Sequence, residues 1–111
     1  MWTKTAVEWH AECRRLADDG GAVPPEMFAR SVEVTDANSA FFDSANGYAG
    51  CISGIHEVLR RQGLLEGIWC LDPKETLSPG QDQEIDRVWH AYPHLRDDAF
   101  VQENLDRWLR S

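Results

Sequence analysis

Lysine is nearly missing from this sequence: Lys4 and Lys74 are the only two in 111 residues. A Schiff-base lysine needs a desolvated pocket that lowers its pKa. Lys4 stands near a terminus and Lys74 lies in a polar turn between Pro73 and Glu75, so neither is a credible covalent catalyst. Cysteine is also sparse. Cys13, Cys51 and Cys70 make an odd count with no CxxC spacing, which reads as free thiols in a reducing compartment. No run approaches the roughly 18 apolar residues of a membrane span. Glu8, His10, Glu12, Arg14 and Arg15 interrupt the stretch where a signal peptide needs an apolar core, so the expected location is cytoplasmic. Positive charge is in deficit: 11 Lys+Arg face 19 Asp+Glu, a formal charge of -8. Such a surface repels phosphate backbones and anionic membranes, so neither nucleic acid nor membrane is an expected partner. Glycine-rich phosphate loops are absent, because Gly20-Gly21 follows no strand and precedes two prolines.

What is present is helical spacing. The fold class expected is all-α, a single domain over 1–111 with four to five helices, short connections and one extended apolar linker. Trp2, Ala6, Trp9, Cys13 and Leu16 recur at steps of four and three, predicting a helix from about Thr3 to Ala17 that Gly20-Gly21 stops. A second helix starts near Pro25. Phe28, Val32, Thr35, Ser39 and Phe42 make its stripe, and Met27, Ser31, Val34 and Phe41 widen it, which predicts burial between two neighbours. Asp43 to Gly47 is the break. The third helix is expected over about Tyr48 to Gln62, with Gly63 after it and a buried face of Cys51, Ile52, Ile55, Val58 and Leu59. Gly50 and Gly54, one turn apart, point to close approach of another backbone, the rival being room for a ligand. Leu64 to Leu77 reads as an extended apolar segment lying over other helices. Ser78 as N-cap, Pro79 at N1 and Gln81 at N3 form a capping box for a fourth helix, with Ile85, Val88, Trp89 and Tyr92 inward. Asp97 caps a fifth, whose stripe is Val101, Leu105 and Trp108 with Phe100 and Leu109. Trp9, Trp89 and Trp108 are read as core or interface residues.

The chemistry-bearing residues assemble no site. His10 with Cys13, and Cys51 with His56, could supply N/S zinc ligands, but positions five apart on a helix diverge. The same offset weakens Cys51 and His56 as nucleophile and base, and Cys51 falls on an apolar stripe. Asp82, Glu84, Asp97 and Asp98 sit at helix starts, where negative charge is favourable without any catalytic role. The residues alone therefore assign no catalytic, metal-binding or cofactor-binding residue, and no cofactor.

The run Gly50-Cys51-Ile52-Ser53-Gly54-Ile55-His56-Glu57-Val58-Leu59-Arg60-Arg61-Gln62-Gly63-Leu64-Leu65, then Ile68 to Pro73, Leu77-Ser78-Pro79 and the helix around Glu84-Ile85, resembles the C-terminal helical region of the dihydrodipicolinate synthase/N-acetylneuraminate lyase family. Ala91 to Leu95, Asp97 to Phe100 and Asn104 to Leu109 resemble the tail of a divergent branch. Asn46-Gly47 stands where the family carries a Pro-Asn-Pro turn. The resembling part is 25–111, best from about Arg30, and 1–24 is the less certain N-terminal helix. The resemblance implies a Schiff-base aldolase-type family on a TIM barrel, a fold of roughly 200 residues or more that this chain is too short to hold. The family's lysine and tyrosine motif match nothing here; Tyr48 and Tyr92 fall at tail positions. The expectation is therefore a terminal helical segment, inactive alone, that packs on a separately encoded barrel portion or makes oligomer contacts. The alternative is a self-sufficient helical interaction protein forming a homo-oligomer through apolar helix faces.

Overall fold

The computed structural model describes residues 2–110, which form five helices: α1 (Thr3–Asp19), α2 (Glu26–Phe42), α3 (Cys51–Arg61), α4 (Gln81–Ala91) and α5 (Asp98–Leu109). No strand occurs among the described residues, and the all-α expectation holds. Single 3₁₀ turns at Ser44–Asn46 and Pro93–Leu95 bridge consecutive helices.

The stop signals act as their chemistry requires. Gly20 closes α1 at φ 64°. Gly63 closes α3 at φ 82°, while its own N–H donates to the Arg60 carbonyl and that of Leu64 donates to the Leu59 carbonyl. This is a Schellman motif, and the left-handed conformation it needs is open to glycine at no steric cost. Two starts differ from expectation. Tyr48 belongs to a turn at φ 67°, so α3 begins only at Cys51. Pro79-Gly80 is likewise a turn, and α4 begins at Gln81 with Gly80 as its N-cap.

The core lies where the second half of α2 meets α3 and α4. Phe41, Val58, Ile85 and Val88 are fully enclosed, joined by Ala37, Ala40 and Leu95. Full burial of each large apolar side chain contributes about 1.5–3 kcal/mol. Trp2 reaches this core from the residue before α1. Its indole meets Phe41 and Trp89 edge-on, at centroid distances of 4.9 and 5.3 Å, a favoured aromatic geometry.

Three predicted faces need correction. On α2, Phe28 and Val32 are exposed (66% and 69%), and the buried stripe is Ala37, Ala40 and Phe41. On α3, Ile52 points out (46% exposed), while Ser53, Gly54, Glu57 and Val58 are buried. The reason is the neighbour's backbone: a Cβ built on Gly54 would lie 1.9 Å from the Phe41 carbonyl oxygen. Only the small face of α3 allows that approach, so size overrides hydrophobicity in choosing which side turns inward. On α5, Val101 is buried but Trp108 and Leu109 are exposed. The linker from Leu64 to Leu77 is irregular as expected, yet it covers the helices only in part. Leu77 packs on the core, whereas Trp69 and Leu71 project outward.

Candidate functional site

Polar junctions fix the architecture before any surface can act. The first centres on Asp43, buried and left-handed at φ 60°. Its carboxylate accepts hydrogen bonds from the Gly50 N–H (2.8 Å), the Ser78 hydroxyl (2.5 Å) and the Asn46 amide (2.7 Å). Burial pushes this carboxyl up, but the three donors outweigh it and hold it below the usual carboxylate range. Gln81 completes the junction. Its Oε1 accepts from the Ser78 N–H at 3.0 Å, and its Nε2 donates to the Gly50 carbonyl at 3.0 Å. Half of the expected capping box is thus present. The other half is diverted, because the Ser78 hydroxyl donates to Asp43 instead of capping α4. A Cβ on Gly50 would lie 2.0 Å from Gln81 Oε1, which explains that glycine as the partner of Gly54 in close packing. At both glycines the neighbour occupies the space, and no room for a ligand is left.

The second junction holds α4 against α2. Arg87 donates two hydrogen bonds to Asp36 at 2.8 Å each and also reaches Glu84, while the Tyr92 hydroxyl donates to Asp36 at 2.5 Å. The Arg87 and Tyr92 hydrogen bonds lower the Asp36 carboxyl to about 2. The same contact with Asp36 raises the Tyr92 phenol and Arg87. Asp97 makes the third junction. It stands at the N-cap of α5 without a side-chain capping bond. Its carboxylate instead accepts from the Lys4 N–H (3.1 Å) and the Gln62 amide (2.7 Å), tying the starts of α1 and α5 to the end of α3. Asp98 accepts from the same amide at 3.0 Å.

The remaining sequence candidates fall into place around these junctions. Glu84 serves the second junction and Asp82 offers its backbone carbonyl to Arg61. Lys4 pairs with Glu8, and Lys74 lies exposed in its turn. His10 and Cys13 both line a hollow between α1 and α2. Among the described residues, no group of three or more His, Cys, Asp or Glu could hold a metal ion. His56 does find a sulfur, but it is Cys70, whose Sγ lies 3.8 Å from His56 Nδ1 and 3.5 Å from the Ser53 hydroxyl. Sequence spacing pairs His56 with Cys51 and misses Cys70. The residue types were visible, but the path of the irregular linker that carries Cys70 back to α3 has no periodic signature.

The hollow between α1 and α2 has a volume of about 420 Å³ and an apolar lining that includes Trp2, Trp9, Met27, Val34 and Leu95. Across it, Arg30 lies over the Trp9 ring at 5.1 Å and donates to Glu12 at 2.7 Å. Beyond that clamp the two helices bury little. α1 runs 17 residues without one buried residue, and Val7, Phe28 and Val32 present 63–69% of their surface. This N-terminal arm leaves Val7, Phe28 and Val32 without a partner among the described residues, as the linker does Trp69 and Leu71. No helix among the described residues is long and apolar enough to cross a membrane. The chain matches no protein-family model, no curated protein and no solved structure.

Proposed function

We propose that this chain is a helical packing segment of a dihydrodipicolinate synthase-like protein, inactive alone and serving contacts to a barrel or to a second copy. The observation that carries this reading is the arm. A 17-residue helix with no buried residue, beside a second helix that exposes Phe28 and Val32, has the character of a surface awaiting a partner. The resemblance over 25–111, which begins after α1, is what points to a barrel as that partner. A self-sufficient homo-oligomer is the second reading, favoured by the closed core around Phe41 and the satisfied Asp43 junction.

The test is association. The purified chain is expected to bind a hydrophobic dye and to lose that binding when mixed with a dihydrodipicolinate synthase-like barrel lacking its terminal helices. Light scattering should then show one mixed complex. Loss of dye binding in a defined dimer, with no response to the barrel, selects the second reading. A dye-silent monomer with one sharp melting transition overturns both. Incubation with pyruvate and borohydride should leave the chain's mass unchanged, and trapping on Lys4 or Lys74 would sink the claim of inactivity.

A further inference from the structure

The Ser53, His56 and Cys70 group is used by none of the junctions above. Ser53 and His56 are three apart on α3, so both side chains rise from one side of its first two turns. Cys70 comes from the irregular linker and places Sγ within 3.8 Å of His56 Nδ1 and 3.5 Å of the Ser53 hydroxyl, while its thiol can also donate to the Ile68 carbonyl at 3.4 Å. Ser53 is 1% exposed, so its hydroxyl is turned inward toward the sulfur and away from water. Cys70 itself is only half-buried, between the outward-projecting Trp69 and Leu71. A nucleophile, a base within reach of it and a hydroxyl donor are thus gathered at an accessible point.

We propose that Cys70 is a reactive thiol, with His56 as its base, that exchanges with low-molecular-weight disulfides. With the imidazole proton on Nε2, Nδ1 accepts the proton from Sγ. The sulfur electron pair attacks one sulfur of the small disulfide. A new S–S bond forms to Cys70 and the reagent's own S–S bond breaks. The departing thiolate keeps its electron pair and takes the proton back from His56. Cys70 is oxidised to a mixed disulfide, and half of the reagent is reduced to a free thiol. Ser53 donates to the sulfur while it carries charge, an interaction stronger than one to a neutral thiol.

The chain carries its own reference in Cys13, which is exposed and has no hydrogen-bonding partner among the described side chains. The full chain is incubated with oxidised glutathione at neutral pH, and each cysteine is followed by mass spectrometry of its proteolytic peptide. Cys70 should be modified several-fold faster than Cys13 although it is less exposed. His56→Gln and His56→Ala should each slow Cys70 by about tenfold, a modest general-base effect, and leave the Cys13 rate unchanged. The glutamine variant keeps the size and polarity of the site, so it holds the test open if the alanine variant unfolds. Ser53→Ala should cause a smaller slowing. A faster Cys13, or a Cys70 rate indifferent to both His56 variants, overturns the proposal.

Discussion

The two halves of α2 live in different surroundings. From Ala37 to Phe41 the helix is enclosed by α3 and α4, sealed by Gly54 against its backbone and by Gln81 and Asp43 at its end. From Glu26 to Val32 it shares only a clamp and a shallow hollow with α1. The composition of the two halves does not explain the contrast, since Phe28 is as apolar as Phe41. What differs is the neighbour. The enclosed half faces helices carrying glycine and serine, which permit close approach, and polar side chains at its rim that satisfy every freed backbone group they meet. The open half faces a helix with no buried residue, whose inward side mixes Trp9 with Thr5, His10 and Cys13 around a hollow. Close packing thus follows from complementary shape, not from apolar content alone.

This contrast can be broken from the enclosed side first. Phe41→Ala should remove about 4 kcal/mol of stability in urea denaturation, the range for a fully buried aromatic. Gly54→Ala should follow at about 3 kcal/mol, because the added methyl would overlap a carbonyl oxygen that cannot rotate away. If Gly54→Ala melts like the parent, the close approach of α3 to α2 is wrong. Gln81→Ala should remove about 2 kcal/mol by leaving the Ser78 N–H and the Gly50 carbonyl without partners. In the open half, Phe28→Ser should change stability by less than about 0.5 kcal/mol while lowering dye binding. A large loss on Phe28→Ser would erase the distinction between the halves.

A further effect expected is electrostatic. The Arg87 and Tyr92 hydrogen bonds hold the Asp36 carboxyl down at about 2 in the folded chain, below its ordinary 3.8. A depressed carboxyl contributes stability that is fully present above its unfolded pKa and lost as pH falls through the folded one. The window is therefore pH 4 to 2. Asp36→Asn should be less stable at neutral pH and should flatten the fall across that window. The lowered Asp43 and Glu57 carboxyls act in the same direction and keep the decline from vanishing altogether. An unchanged acid limb in Asp36→Asn would show that the Arg87 and Tyr92 contacts do not persist in solution.

Much of this architecture was legible in the sequence. Gly20, Gly63 and Pro93 punctuate helices because their backbone chemistry is local, and Ile85 and Val88 face inward as their spacing requires. The face of α3 was legible only at Val58 and at the close approach marked by Gly50 and Gly54; the burial of Ser53 and Glu57 was not, because the reason for it sits on another helix. Glu57 is tolerable there because Arg60 and Arg61 both pair with it; the Arg60 hydrogen bond lowers its carboxyl against the opposing effect of burial. Asp97 stands at the start of α5 as expected, whereas the start of α4 falls at Gly80, two residues beyond Ser78. The side chains of Ser78 and Asp97 serve distant partners, and no local pattern encodes a distant partner. The pairing of His56 with Cys70 is the same kind of fact.

The bond from the Lys4 N–H to Asp97 joins residues 93 apart in sequence. Closing so long a loop costs about 4 kcal/mol in chain entropy before any contact rewards it. The α2, α3 and α4 core can form without that closure, whereas the Lys4–Asp97 bond forms only once the start of α5 is in place. With no buried residue of its own, α1 is the helix expected to open first. Brief excursions in which it swings free would present the segment from Gly20 to Pro25 to a protease long before the core itself opens.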